Sequence, residues 1–284
     1  MDFNARTLAH VSDILGPEAA GLHVERATLG LFFTAVTLEG GHTGLCATPL
    51  KEIPEAVCCP SSAMSMPFPG KLAGMGAMRL ASEAVSQTGL RRALGIAALN
   101  ALAARAVERR GTAGHVVLEG AEAFEVAAIQ PHETAVVVGA FGPFLKALRK
   151  IGARHFVLEK DPGTLRPEEM PQYRPAETFP EIVPQADVLL ITGTTLINDT
   201  LSALIACARP TARIVLVGPT VPILPDAFLD RPGMVLGTVR VTDAPALHRV
   251  LAEGGSGYHF FGRSTQKVVL VRDDHAAAIR PDAA

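Results

Sequence analysis

A run of hydroxyl and amide side chains, TGTTLINDT at residues 192–200, directly follows the apolar stretch ADVLLI. The apolar stretch is typical of a buried strand in a parallel sheet. Core packing does not call for so many polar side chains in one short run. Polar groups at the end of such a strand are instead well placed to bind a ligand. One of Asn198, Asp199 and Thr200 is expected to cap the following helix, TLSALIACA. The candidate ligand-binding residues here are Gly193, Thr194, Thr195 and Asn198.

A glycine-containing turn, GAFGP, follows a second apolar run, TAVVV. Gly139 and Gly142 would let the backbone approach a ligand, and the free N–H groups that begin the next helix attract anions. The turn lacks the third glycine of GxGxxG, and glycine is also ordinary where a strand turns tightly into a helix. Glu159 follows 20 residues after Gly139, where nucleotide-binding folds accept hydrogen bonds from ribose. A solvated carboxylate beside Lys160 and Asp161 is the alternative.

The soft side chains that are close enough in sequence to be candidate metal ligands lie in the N-terminal part of the chain. His42 and Cys46 are four residues apart, and Cys58 and Cys59 follow in a Pro- and Ser-rich stretch. These four are candidate metal ligands, but buried structural thiols are the stronger expectation, because no zinc-finger or zinc-ribbon spacing occurs. The absence of HExxH, GxSxG and GxxxxGK[ST] disfavours zincins, α/β-hydrolases and P-loop proteins.

Five apolar runs separated by helical patterns begin near Glu133 and predict an α/β fold, a Rossmann-like doubly wound parallel sheet. The runs are TAVVVGA, HFVLEK, ADVLLITG, ARIVLVGP and KVVLVRD. The usual strand order places the third run beside the first, so Gly139 and Gly193 would flank the point where the order reverses. The turn Gly218-Pro219, after the fourth run, would close the same pocket.

The first 118 residues follow a different pattern. We expect a helix over about residues 4–15, two or three strands with Gly40-Gly41 at a tight turn, and helices over about residues 71–86 and 90–110. This order predicts a smaller α+β domain. The predicted organisation is therefore an α+β domain at residues 1–118 and the Rossmann-like domain at residues 119–284.

Composition excludes several classes of protein. The 284 residues are 48% hydrophobic and 19% charged, with a formal net charge of -2, which argues against disorder and against a nucleic-acid partner. The sequence contains no run of roughly 18 apolar residues, the length that predicts a membrane span. The N-terminus shows no signal-peptide pattern. We expect a cytoplasmic protein with no membrane partner.

Several segments together resemble the DUF364 family and its N-terminal partner DUF4213. The segments are VVVGAFGPF, VLEKDP, LLITGTTLINDTL and VLVGPTVPILPDAF, with LGLFFTAV, GLCATPL and IAALNALAA nearer the N-terminus. The resemblance implies an enolase-N-terminal-like α+β domain packed on a Rossmann-like domain, a pocket between them, and a role in heavy-metal chelation. Carried over to this sequence, the pocket comprises Gly139, Phe141, Gly142, Thr194, Thr195, Asn198, Gly218, Pro219 and Asn100.

Three functions stay open at this point. The favoured one is a cytoplasmic protein that binds or handles a metal ion or a metal-containing small molecule, with a transition-metal ion as a candidate cofactor. Neutral amide and hydroxyl groups suit a carboxylate, phosphate or metal chelate better than a bare soft cation. The alternative is a nucleotide-dependent enzyme, an NAD oxidoreductase or an S-adenosylmethionine methyltransferase, that uses the glycine turn. The third is an interaction module that forms a homodimer through the Met/Pro/Phe loop at residues 64–69.

Overall fold

A computed structural model describes residues 2–52, 67–111, 114–228 and 230–272 of the chain. These residues form two modules, one built on a three-stranded antiparallel sheet and the other on an eight-stranded, mostly parallel sheet. The expected α/β class and the smaller α+β module are therefore confirmed. Cys58 and Cys59, two of the candidate metal ligands, lie outside the described residues, as do residues 64–66 of the loop expected to mediate dimer formation.

The N-terminal module consists of three strands packed on a long helix, with three shorter helices beside it. Its elements are α1 (Phe3–Leu15), β1 (Val24–Leu29), β2 (Phe33–Leu38), β3 (Thr43–Ala47), α2 (Ala77–Ala81), α3 (Glu83–Ser86) and α4 (Gly89–Arg110). The side chain of Asp2 accepts hydrogen bonds from the first amides of α1, which fixes where that helix begins. The single helix expected over residues 71–86 is instead two short ones, the first of which starts at Ala77.

Gly44 allows β3 to lie directly on α4. A Cβ atom at this position would stand 2.2 Å from both the carbonyl oxygen of Ala97 and the amide nitrogen of Ala101. These are backbone atoms of a buried helix and have little freedom to move. Glycine is therefore required where this strand crosses the helix.

The larger module contains the eight-stranded sheet and its covering helices. Its elements are β4 (His115–Glu119), α5 (Ala123–Val126), β5 (Thr134–Val138), α6 (Gly142–Ile151), β6 (Arg154–Glu159), β7 (Tyr173–Pro175), α7 (Phe179–Ile182), β8 (Val188–Thr192), α8 (Leu201–Cys207), β9 (Arg213–Val217), β10 (Met234–Val241), α9 (Ala244–Ala252), α10 (Gly257–Phe260) and β11 (Thr265–Arg272). The strand order is β4-β11-β10-β9-β8-β5-β6-β7.

All five expected strands are present, but the sheet is larger and less uniform than predicted. Strands β4, β7 and β10 were not predicted. The expectation of a parallel partner is wrong for β11, which pairs antiparallel with both β10 and β4. Because β4 joins this sheet, it includes residues 115–118, which precede the expected boundary at residue 119. The domain boundary itself stays a prediction.

The two modules share one hydrophobic core. A single cluster of buried side chains runs from Val11 and Leu94 in the N-terminal module to Leu189 and Leu236 in the large sheet. The other face of the sheet packs on α5 and α6 in a second cluster, which includes Ala123 and Leu145. The N-terminal module thus covers one face of the sheet.

A buried histidine on α9 also joins the modules. His248 is 1% exposed. Its Nδ1 lies 2.7 Å from the hydroxyl of Thr28 on β1, and its Nε2 lies 2.7 Å from the hydroxyl of Thr37 on β2. The three-stranded sheet is therefore held to α9 by polar contacts to a buried imidazole ring.

No helix in the described ranges is long and apolar enough to span a bilayer.

Candidate functional site

The point where the strand order reverses lies between β5 and β8, as the sequence predicts. The two strands are parallel neighbours, with β6 and β7 on one side and β9 and β10 on the other. A cavity of about 690 Å³ lies at their carboxyl ends, and residues 47–51 of the N-terminal module contribute to its lining. We name it the switch-point cavity. Its position and size are those of a small-molecule site.

The threonines after β8 shape one wall of this cavity. The backbone N–H and the hydroxyl of Thr194 both approach the hydroxyl oxygen of Thr192, at 3.3 and 3.1 Å. The hydroxyl of Thr195 donates to the carbonyl of Thr192 at 2.7 Å, and Thr195 is 2% exposed. Thr195 therefore serves mainly to fix the turn, whereas Thr192 and Thr194 are more accessible to a ligand.

Asn198 organises the turn that leads into α8. Its Oδ1 accepts hydrogen bonds from the backbone N–H of Thr200 at 3.3 Å and from the Thr200 hydroxyl at 2.6 Å. Asp199, between them, has a φ of 59°, which few non-glycine residues adopt. The amide nitrogen of Asn198 has no acceptor among the residues that the structure describes, so this N–H group is available to a ligand in the switch-point cavity.

Two buried residues of the N-terminal module hold this loop from behind. The amide nitrogen of Asn4 on α1 donates to the carbonyl of Leu196 at 3.0 Å, and Arg92 on α4 donates to the carbonyl of Ile197 at 3.3 Å. Both polar side chains are at least nine-tenths buried. Sequence reasoning missed them, although a polar residue on the apolar face of a helix signals a buried hydrogen-bond partner.

Glu159 binds the glycine turn rather than standing free. Its carboxylate accepts hydrogen bonds from the backbone N–H groups of Ala140, Lys160 and Asp161, at 3.1, 2.8 and 3.1 Å. Gly139 has a φ of 101° and packs closely against Thr192: a Cβ atom added at Gly139 would lie only 3.1 Å from the Thr192 methyl group. The Glu159 carboxylate therefore already accepts the N–H group of Ala140, which a phosphate would otherwise bind.

An ion pair between the two modules stands at the rim of the cavity. Lys51, which follows β3, pairs with Asp161, which follows β6. The ammonium group, with the amide of Gly163, holds the pKa of the Asp161 carboxyl below its usual value. Lys51 was not predicted from the sequence, and neither was the apolar wall that Phe179 and Leu204 contribute.

The remaining residues of the expected pocket do not line the switch-point cavity. Phe141 stacks on Phe144 with ring centroids 5.1 Å apart, and Gly142 begins α6. Gly193 packs tightly against Val221, where a Cβ would be 3.1 Å from a methyl group. Gly218 has a φ of 134° and forms the turn after β9. Asn100 and Pro219 line a second cavity of about 420 Å³. The residues near the switch-point cavity are thus Gly139, Glu159, Thr194, Thr195 and Asn198.

The candidate metal ligands that can be placed do not converge. The Nε2 atom of His42 lies 2.9 Å from the Glu108 carboxylate. Cys46 is fully buried, and this burial raises the pKa of its thiol far above the usual value, so the thiolate that a metal needs is disfavoured. Within residues 2–52, 67–111, 114–228 and 230–272, no three His, Cys, Asp or Glu side chains form a group that could hold a metal ion.

The fold and the cavity define a two-module, Rossmann-like protein with a cavity of small-molecule size at the point where the strand order of its sheet reverses. Residues 122–270 match the model of the family DUF364, and residues 12–103 match that of DUF4213, both of which are described as "Putative heavy-metal chelation". The chain belongs to the DUF364 family.

Two solved structures show the same fold. One is a protein with unknown function from the DUF364 family of Pyrococcus horikoshii, with a TM-score of 0.71 and 18% identity, covering 94% of this chain and 98% of that one. The other is a protein with unknown function from the same family of Desulfitobacterium hafniense, with a TM-score of 0.70 and 21% identity, covering 93% and 98%. No curated protein matches the chain.

Proposed function

We propose that this protein binds a metal chelate, that is, a small organic molecule that carries a metal ion, in the switch-point cavity. The observation that carries the proposal is the cavity of about 690 Å³ at the reversal point of the sheet, with Thr192, Thr194 and Asn198 on one wall. These side chains offer neutral hydroxyl and amide groups. Such groups bind oxygen and nitrogen atoms of an organic ligand by hydrogen bonds.

A bare metal ion fits this cavity less well than a chelate. The described residues provide no cluster of three ligating side chains, and hydroxyl or amide groups alone are weak ligands for transition metals. In a chelate, the organic molecule supplies the donors to the metal, and the protein needs to recognise only the organic surface. The apolar side chains of Leu50, Phe179 and Leu204 in the cavity suit the carbon skeleton of such a molecule.

The ammonium group of Lys51 at the rim offers an ion-pair partner to a ligand that carries a carboxylate. Lys51 is 68% exposed along its side chain and pairs only at the surface with Asp161, so this ion pair contributes little stability. A ligand carboxylate can replace Asp161 as the partner of Lys51 at low cost. Many chelators coordinate metals through carboxylates and keep others free, which would then contact Lys51.

A nucleotide is disfavoured by the geometry of the glycine turn. The Glu159 carboxylate already accepts the N–H of Ala140, and its negative charge would repel the phosphates of NAD. No observation favours the enzyme alternative over the chelate.

The experiment measures the thermal unfolding of metal-stripped protein with each of several probes. The probes are Ni²⁺, Zn²⁺, citrate, the citrate complexes of Ni²⁺ and Fe³⁺, NAD and S-adenosylmethionine. A probe present at about 100 times its dissociation constant stabilises the protein by about 2.7 kcal/mol. We expect a metal citrate to raise the melting temperature more than citrate or either metal ion alone. A rise with NAD or S-adenosylmethionine and none with the chelates would contradict the proposal.

A matched pair of variants locates the binding. Thr194→Val preserves shape but removes a hydroxyl from the cavity, and we expect it to weaken chelate binding roughly three- to tenfold, as the loss of one hydrogen bond does. Thr242→Val removes an exposed hydroxyl outside the cavity and is expected to have no effect. Equal binding by both variants would show that the chelate binds elsewhere.

A further inference from the structure

The second cavity, of about 420 Å³, is a groove between the modules that no part of the proposed function uses. Its floor is α4, with Asn100, Ala104 and Glu108, one wall is β3, and the other is β10 with the turn after β9. We name it the α4 cavity. The three floor residues are four apart in sequence and lie on one face of the helix. The groove therefore extends along α4 for about 12 Å from Asn100 to Glu108.

Asn100, which lines the α4 cavity on the floor helix, carries an unsatisfied hydrogen-bond acceptor. The Asn100 amide nitrogen donates to the carbonyls of Leu45 and Thr220, at 2.8 and 2.9 Å. Because both partners are acceptors, the orientation of the amide is fixed, and Oδ1 must point away from them. This oxygen is buried and has no partner among the residues that the structure describes. A buried acceptor without a donor is unfavourable, and a ligand N–H or O–H group would remove that cost.

The outer end of the α4 cavity also offers acceptors. Arg105 and His42 both contact Oε2 of Glu108, which leaves Oε1 for another partner. Hydrogen bonds from these two residues hold the pKa of the Glu108 carboxyl below its usual value, so the group is negatively charged at neutral pH. Since Glu108 accepts from Nε2 of His42, the neutral histidine has an acceptor at Nδ1.

Between the two ends the α4 cavity is aliphatic. Val107, Val221 and Val239 line it, and Ala104 leaves room above the helix. The cation in the lining, Arg240, is paired with Glu119. At the buried end an ammonium group would have to give up its hydrating water for one acceptor, Oδ1 of Asn100, and that desolvation is costly. At the exposed end the Glu108 carboxylate can bind the ammonium group while it stays in contact with solvent.

We propose that the α4 cavity binds a linear aliphatic amine with a neutral hydrogen-bond donor at its far end, its ammonium group on Glu108 and its donor on Oδ1 of Asn100. An ω-amino alcohol is the simplest member of this class. A chain of about four to eight carbons matches the 12 Å rise of α4 between the two residues.

Calorimetric titration of the full chain with ω-amino alcohols of graded length tests the proposal. Comparison of each with the alkylamine that lacks the hydroxyl probes Asn100 without altering the protein. We expect affinity to peak at one chain length and to fall about tenfold when the hydroxyl is absent. Absence of binding at millimolar concentration, or equal affinity for alcohols without an amine, would overturn the proposal.

Three variants localise the binding. Glu108→Gln changes an exposed side chain and is expected to weaken amine binding about tenfold and to abolish its dependence on salt. Ala104→Leu fills the groove with a good helix former and is expected to abolish binding at unchanged stability. Thr194→Val, in the switch-point cavity, is expected to bind the amine as the unaltered chain does. Undiminished binding to Ala104→Leu would refute the α4 site, whatever the outcome for chelates.

Discussion

Acidification from pH 6.5 towards pH 4 is expected to destabilise the protein through His248. Burial, with a smaller contribution from the positive charge of Arg26, lowers the pKa of this histidine from 6.5 to about 4. In the unfolded chain the ring would titrate near 6.5. Between these values the unfolded state binds a proton that the folded state excludes, so folding becomes less favourable as the pH falls.

The hydrogen bonds around His248 show why the folded protein excludes this proton. The Thr43 hydroxyl donates to the carbonyl of Gly41 at 3.0 Å, so it can only accept from Thr37, at 2.7 Å. The Thr37 hydroxyl is then committed as a donor, and Nε2 of His248 must donate to it. Nδ1 is therefore an acceptor for Thr28. The neutral ring therefore satisfies the hydrogen bonds of both threonines. A second proton on the ring would sit on Nδ1 and displace the Thr28 hydroxyl as its donor.

The size of the effect follows from the pKa difference. A shift from 6.5 to about 4 corresponds to about 3 kcal/mol at 1.36 kcal/mol per unit. This stability is fully present above pH 6.5 and is lost progressively down to about pH 4. Carboxylates whose pKa is lowered, such as that of Glu133, lose their contribution only as the pH falls through a lower range.

Urea denaturation at a series of pH values measures this effect. His248→Gln retains amide groups that can bond to the two threonines but does not titrate. Between pH 6 and 4.5 the free energy of unfolding of the unaltered chain should fall more steeply than that of the variant, by roughly 1.2 kcal/mol per pH unit, a little under the limit of about 1.36 kcal/mol for a whole proton. Parallel curves for the two proteins, or an NMR titration of the His248 ring near pH 6.5, would refute the reasoning.

Three further changes test other features of the fold. Gly44→Ala is expected to lower the free energy of unfolding by about 1–3 kcal/mol or more, because its Cβ would lie 2.2 Å from backbone atoms of α4. The control is Gly21→Ala, where the space around the Cβ is open; a denaturant midpoint for Gly44→Ala no lower than that of the control would contradict this. Glu159→Gln replaces one of the two acceptor oxygens of the carboxylate by an NH2 group and should cost about 1 kcal/mol in urea denaturation; unchanged stability would show that those bonds contribute nothing. Asn4→Ala leaves buried carbonyls unpaired, at a cost of about 1–3 kcal/mol, and should accelerate hydrogen exchange in residues 194–200; unaltered exchange there would show that the loop needs no support from α1.

The sequence was sufficient to predict the reversal point of the sheet. Long apolar runs alternate with helical patterns, and strand ends rich in glycine, threonine and asparagine locate the switch-point cavity because parallel strands all end at one edge. The antiparallel direction of β11 could not be predicted, since an apolar run such as KVVLVRD is equally compatible with a parallel and an antiparallel neighbour. Strand β10 was missed, although MVLGTVRV is β-rich, because Gly237 interrupts it.

Residue contacts between the modules were harder to predict. Asn100 and Pro219 follow from a family resemblance, which supplies a set of residues but not their division between two cavities. Lys51 is an ordinary surface lysine in the sequence, and only the approach of residues 47–51 to the end of β6 gives it a place at the rim. The contacts of Asn4 and Arg92 depend on how α1 and α4 lie against the loop after β8, which no local pattern encodes.

The shared hydrophobic core has a consequence for how the chain can be divided. Because Val11 and Leu94 belong to the same buried cluster as Leu189 and Leu236, a cut between β4 and α4 would leave a large apolar face on each fragment. Neither fragment could cover that face by itself. Two such fragments, synthesised together, would each serve as the template on which the other completes its folding, and the cavities that both modules line would form only upon their reassembly.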